Sequence, residues 1–307
     1  MMIVKNIVKH VTLSLIIVSG CIMQSCRNKP VDNNDNASME EAYEESLVTS
    51  NTKGVRLISS NGVFKVPESV AVDSRNNILY VSNINGMPDE KDSSGFITRV
   101  MLSGEILDTL NIPYLNAPKG MAVLGSMLYV ADIDRVIEYD IDRGNVAKIY
   151  QPEGAQFLND ITVDAENNIY VSDTKAGRIY KIANQTIVPY LTDSLCVGAN
   201  GMCRADANIA MGAAERIMVV NPLNSRSKVF AKLDFTPDGL KYHNDTTFIA
   251  SDFVGNIFAV TPKRCTKLVS AREGVNAADF EYLPEQNILI VPTFFNNTID
   301  IYEIGLD

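Results

Sequence analysis

From residue 54 onward the apolar positions fall in short alternating stretches: GVRLIS (54–59), ESVAVD (68–73), ILYVS (78–82), GFITRVML (95–102) and EILDTL (105–110). Alternation with a period of two over four to eight residues, interrupted by Asn- and Asp-rich turns such as SRNN (74–77), predicts β-strands joined in hairpins.

The hairpins repeat. PESVAVDSRNNILYVSN (67–83) is followed by PKGMAVLGSMLYVAD (118–132) and LNDITVDAENNIYVSD (158–173). Weaker copies are ANGMCRADANIAMGA (199–213), PDGLKYHNDTTFIASD (237–252) and VNAADFEYLPEQNILIVPTF (275–294). One or two further strands follow each copy, among them RVIEYDI, RIYKI, ERIMVV and NIFAV. Four short strands in roughly 40 residues, repeated, is the signature of propeller blades. Six copies predict an all-β, six-bladed β-propeller. The last blade has only three strands of its own, and GVRLIS is left over. Placed as the outer strand of blade 6, it closes the ring and makes residues 54–307 one domain. A β-sandwich or two stacked β domains would leave the six copies unexplained.

Residues 1–53 do not share the pattern. Lys5 and Lys9 precede an apolar run, VTLSLIIVSG (11–20), too short for a membrane span, as in a bacterial secretory signal. Either Cys21, after Val-Ser-Gly, or Cys26, after Met-Gln-Ser, fits the acylated cysteine of a lipoprotein, giving a signal and anchor over 1–26. An ordinary signal peptide with incidental cysteines is the competing reading. Residues 27–53 are poor in large apolar residues and hold six acids from Asp32 to Glu45, which predicts a flexible acidic tether. The expectation is an exported, monomeric lipoprotein, periplasmic or at the outer membrane or cell surface, that meets the membrane only through its lipid.

Charge and rare residues narrow the chemistry. A net charge of −10 argues against a nucleic-acid partner and leaves a small-molecule substrate as the expected one. Beyond His10 the only histidine is His243, which excludes a multi-histidine metal site. Cys196, Cys203 and Cys265 lack metal-ligand spacing and are expected to be small buried apolar residues, with a Cys196–Cys203 bridge as the alternative.

An alignment of the six copies carries the rest. Four residues before the same late position of each blade's first strand stand Glu68, Lys119, Asn159, Asn200, Asp238 and Asn276, spaced by 51, 40, 41, 38 and 38 residues. Innermost strands of a propeller run along its axis, so these six polar residues should ring the channel. Carboxylate and amide oxygens together are what a hard divalent cation takes, six to eight of them at about 2.3–2.6 Å for Ca²⁺. Glu68 and Asp238 would balance its charge, while Asn159 and Asn200 would add neutral oxygens. Ca²⁺ is expected, before Mg²⁺, Mn²⁺ or Zn²⁺. The competing account is a wet channel mouth lined by ordinary turn dipeptides, Asn-Gly and Asp-Gly.

In this pattern the chain resembles the family of senescence marker protein (regucalcin), gluconolactonase and luciferin-regenerating enzyme. The likeness runs from about residue 62 to the C-terminus and rests on Glu68 in PESV, Asn159 in FLND, Asn200 in ANG and Asp238 in PDG. It implies that these four bind one divalent cation, and that the activity is lactone hydrolysis with Asp238 as both ligand and general base. One position departs. The sugar-lactone enzymes carry an arginine two residues before the F-N-D asparagine; Phe157 stands here, which points to a less polar substrate. Lys119 would bind a substrate carboxylate or the developing oxyanion, unless it pairs with Glu68 or Asp238. Phe157 and Asn276 complete the expected substrate contacts. Asp132, Asp173 and Asp252 read as turn caps, Asp134 as a residue near the mouth, and the insertion 83–95 as a lid or a surface loop. Two other functions fit the same propeller: an NHL-type module binding a small ligand or a protein, and a strictosidine-synthase-like enzyme.

Overall fold

The computed structural model describes residues 53–59 and 62–306, so the expected signal, lipidation sites Cys21 and Cys26, and nearly all of the tether lie outside the described residues. Among the described residues, six antiparallel sheets of four strands each follow one another in sequence. The innermost strands are Pro67–Asp73, Pro118–Leu124, Leu158–Val163, Met202–Ala205, Leu240–Asn244 and Glu281–Leu283. Those of blades 1 to 4 each lie against the next, that of blade 6 lies against blade 1, and Ile249 and Ile257 of blade 5 pack in one cluster with Phe280 and Leu289 of blade 6, which closes the circle. The fold is the expected six-bladed β-propeller.

Burial explains which strands are plain in the sequence. The second strand of blade 1, Ile78–Asn83, is covered on both faces and opens with four apolar residues in a row, Ile78 to Val81. The outer strand Asn145–Tyr150 of blade 2 alternates exposed and covered positions. The core is divided among the blade interfaces. Ala71, Tyr80 and Ile97 of blade 1 pack on Met121, Leu128 and Val130 of blade 2, and similar clusters fill the other five junctions. Each fully buried side chain of this size contributes about 1.5–3 kcal/mol.

Closure follows the expected route. The strand Lys53–Ser59 pairs antiparallel with Thr298–Glu303 as the outer strand of blade 6, from Val55 opposite Tyr302 to Ser59 opposite Thr298. The expectation that the cysteines are buried holds for Cys196 and Cys203 and fails for Cys265. Cys196 and Cys203 form no bridge: both are free thiols, buried in different clusters, one between blades 3 and 4 and one between blades 4 and 5. Cys265, at the start of the outer strand Cys265–Val269, is exposed rather than buried.

Candidate axial site

The ring positions owe their placement to a local break in strand pairing. In blades 1, 2 and 3 the register between first and second strand shifts between Pro67 and Val70, Pro118 and Met121, and Leu158 and Ile161. Glu68, Lys119 and Asn159 lie inside these bulges, which re-aim a side chain at the end of a strand. In blades 4, 5 and 6 the ring residues Asn200, Asp238 and Asn276 stand just before the inner strand begins.

The backbone amide freed by the bulge is buried and needs an acceptor. A second-strand serine supplies it: Ser82 Oγ accepts from Ser69 N, Ser172 Oγ from Asp160 N and Ser251 Oγ from Gly239 N, at 2.8–2.9 Å. The last residue of the second strand holds the loop leading into the blade. Asn83 accepts from Lys65 N, Asp132 from the amides of Asn116 and Ala117, and Asp173 from those of Gln156 and Phe157. The ring residue follows two or three positions later. Asp173 and Asp252 also accept amides of their own turns, as expected of caps.

Glycine follows the ring residue in blades 2, 4 and 5 for want of space. A Cβ on Gly120 would lie 2.4 Å from Asp160 Oδ1, and one on Gly201 2.4 Å from the Asp238 carbonyl oxygen. Neither glycine has a positive φ, so Lys-Gly and Asn-Gly serve here for close approach of neighbouring blades and not as turn dipeptides.

Asn200 Nδ2 donates to Asp238 Oδ1 at 2.5 Å, joining blades 4 and 5. Asn159 Nδ2 donates to Thr174 Oγ1, which donates to the carbonyl of Ala199, the residue before Asn200. Glu68 is buried, and burial followed by the charge of Asp238 pushes its carboxyl well above the usual range. Burial also pushes Asp238 up to about 7, against the lowering effect of the Asn200 hydrogen bond. These four residues therefore share one region. Asn276 Nδ2 donates to the Phe253 carbonyl at 2.7 Å.

Lys119 is buried to 1% exposure, and burial lowers it to about 8, partly opposed by the negative charge of Glu68. The expected alternative of an ion pair with Glu68 or Asp238 is not what forms. Its Nζ donates to the Ala117 carbonyl at 3.0 Å and lies 4.4 Å from the centre of the Phe157 ring.

The acceptors in this region outnumber the donors. Glu68 Oε2 is buried without a hydrogen-bond partner. Asn159 and Asn200 use Nδ2 on the protein, and their Oδ1 atoms accept no hydrogen bond among the described residues. Two carboxyls whose proton affinity burial raises, with two free amide oxygens, are a donor set that fits a hard cation. Among the described residues no three His, Cys, Asp or Glu side chains cluster as a metal site. The set here relies on amides for half its ligands.

A second charged layer was not anticipated from sequence. Asp160, Lys241, Asp279 and Glu281 come from blades 3, 5 and 6. Lys241 Nζ lies 3.5 Å from Asp279 Oδ1, and Ser69 Oγ donates to Asp279 Oδ2 at 2.8 Å. Asp160 accepts the amides of Met202 and Ile161, yet burial holds its carboxyl well above the usual range. The signal was present as charged residues inside the inner-strand phrases LND, GLKY and AADFEY.

An apolar cluster includes residues close to the ring positions in the chain, such as Ala117 and Ala278. Ile84, Ala117, Ile133, Ala278 and Phe294 pack together with Val66, Phe253 and Phe295. Phe253, Phe294 and Phe295 meet edge to face with centroids 4.9–6.2 Å apart.

The class these features define is one of fold: a six-bladed β-propeller. No protein-family model and no curated protein matches the chain. Solved structures do. A gluconolactonase from Xanthomonas campestris aligns with a TM-score of 0.63 at 13% identity, covering 79% of this chain and 87% of that one. A luciferin-regenerating enzyme aligns at 0.60 and 13%, covering 82% and 95%. A streptogramin B lyase aligns at 0.61 and 9%, covering 82% and 98%. At such identities the shared property is the fold, which hosts several chemistries.

Proposed function

We propose that the chain is a divalent-cation-dependent hydrolase of lactones or esters with a largely apolar body, similar in type to the gluconolactonase and luciferin-regenerating enzyme that share its fold. The observation that carries this reading is the acceptor-rich cluster of Glu68, Asn159, Asn200 and Asp238, in which a buried carboxylate oxygen has no donor. Those four residues would hold the cation. Bound there, it would polarise a substrate carbonyl and offset the negative charge that grows on its oxygen.

The protein's own groups would do the rest. Asp238 would accept a proton from the attacking water as the water oxygen bonds to the carbonyl carbon. The proton then passes to the departing alkoxide as the C–O bond breaks. The Lys119 ammonium, close to Glu68 in the electrostatic sense, favours negative charge at the mouth. Phe157, Phe253 and Phe295, each only partly buried, would offer apolar surface to the substrate.

The test is hydrolysis of a panel of alkyl, aryl and sugar lactones by the full-length protein with and without EDTA, beside Asp238→Ala, with calorimetric titration of Ca²⁺ into both. Turnover removed by EDTA, restored by a divalent ion and reduced at least a hundredfold in Asp238→Ala is expected. No Ca²⁺ binding and no turnover would leave a ligand-binding propeller as the better account.

A further inference from the structure

Phe157 has two ammonium groups beside its ring. Lys119 Nζ lies 4.4 Å and Lys175 Nζ 4.7 Å from its centroid. Lys119 comes from the inner strand of blade 2, and Lys175 from the turn following Ile169–Asp173 in blade 3. Each ammonium has three N–H donors. Among the described residues Lys119 uses one, on the Ala117 carbonyl, and has no carboxylate within ion-pair distance, although it is almost wholly buried. A buried ammonium with unused donors is expensive unless something accepts from it.

The blade-1 insertion supplies a carboxylate at this place. Asp89 Oδ2 lies 3.0 Å from Lys175 Nζ, and its charge is also felt at Lys119. The insertion thus crosses from blade 1 over blade 2 to blade 3. A second ion pair on the way, Lys91 Nζ to Asp134 Oδ2 at 2.6 Å, uses the aspartate expected near the mouth. Its C-terminal base is fixed by backbone contacts, Ser93 N to Asn116 Oδ1 and Gly95 N to the Leu115 carbonyl. The Asp89–Lys175 pair is half exposed on both sides, and exposed pairs of this kind are weak. A competing carboxylate can therefore replace Asp89 easily.

We propose that Lys119 and Lys175, beside the Phe157 ring, form an anion subsite for the carboxylate of an organic acid, and that Asp89 occupies the subsite until such a ligand displaces it. This deepens the functional reading above by naming the substrate class, carboxylate-bearing lactones or esters, and rests on that reading only for the step from ligand to substrate.

The experiment is therefore a binding measurement, made in EDTA so that no divalent ion can hold the carboxylate. Phenylacetate and its neutral isostere phenylacetamide are titrated calorimetrically into full-length protein, Lys175→Met and Asp89→Asn at low ionic strength. Phenylacetate should bind several times more tightly than the amide. Lys175→Met should weaken phenylacetate about fivefold, and Asp89→Asn should strengthen it about fivefold, the range open to an exposed ion pair. The amide should bind all three proteins alike. Equal affinity for acid and amide, or an Asp89→Asn protein that binds phenylacetate no better than the parent, overturns the subsite. Neither result bears on whether the metal-dependent hydrolysis occurs, which its own assay decides.

Discussion

Asp238 shows how a single residue links the site to stability. Burial raises its proton affinity to about 7, and Glu68 is displaced in the same direction by burial and by Asp238 itself. A carboxyl whose pKa is higher in the folded state binds more protons there than in the unfolded chain, so stability falls as pH rises through the window between the two values. That window runs from about 4, the ordinary carboxylate value, to about 7. Asp73 and Asp164 act oppositely. Burial alone would raise both, but hydrogen bonds from Asn76 and Arg75, and from Asn168 and Tyr170, outweigh it and hold them below their ordinary value. Their contribution is present above that value and is lost as pH falls through the folded one. In EDTA the thermal midpoint should therefore peak in mild acid and decline towards pH 7. Added Ca²⁺ should raise it more at pH 8 than at pH 5, because protons compete for the same carboxylates. Asp238→Asn should flatten the decline. Thermal melts across pH 3 to 8 check this, and a midpoint that does not fall between pH 5 and 7 in EDTA would contradict it.

At the scale of the element, the bulge at the head of the inner strand and the serine that serves it form one device. Ser172 is wholly buried and accepts the Asp160 amide, so Ser172→Ala leaves that amide without a partner. The expected loss is about 1–3 kcal/mol, a fall of about 2–4 °C in thermal midpoint per kcal/mol for a domain of this size. An unchanged midpoint would mean that the amide finds another acceptor. Blade 2 shows how the device varies: it reads YVAD instead of YVSN or YVSD, with Gly120 after the ring residue. This device explains why the strands were legible and their purpose was not. Alternation in ESVAVD and ILYVS reflects which face of a strand is covered, and that much follows from local sequence. Blade equivalence also survived in the weaker copies, because Gly201 sits against the backbone of the next blade and Gly239 against the side chains of Phe280, Ser251 and Asp279. The serine and aspartate ending the second strand read only as turn residues, since their partners lie up to 17 residues back along the chain. The Asp160, Lys241 and Asp279 layer was hidden for the same reason: its members come from blades far apart in sequence and meet only once the ring is closed.

At the scale of the whole molecule, everything at the axis depends on six blades being held at fixed angles, and the ring has one seam that is not continuous in sequence. The strand Lys53–Ser59 closes it by pairing with Thr298–Glu303. Without that strand the edge from Thr298 to Glu303 would present unpaired amides and carbonyls to solvent, a template for association with another chain. Blade 6 would also lose the link that ties it, through the chain, to blade 1. The ring residues on either side of the seam are Glu68 and Asn276, and Ser69 of blade 1 donates to Asp279 of blade 6 across it. A chain beginning at residue 61 should therefore melt lower and more broadly than one beginning at residue 51, and should associate in a concentration-dependent way. It should also bind Ca²⁺ more weakly, because Glu68 stands on the blade next to the open seam. Sedimentation, thermal melts and Ca²⁺ titration of the two truncated chains measure the three effects together. Equal midpoints and equal Ca²⁺ affinity would show that packing at the blade 6–blade 1 junction, where Phe64, Leu79 and Val81 meet Ile290 and Ile299, holds the ring closed without the strand.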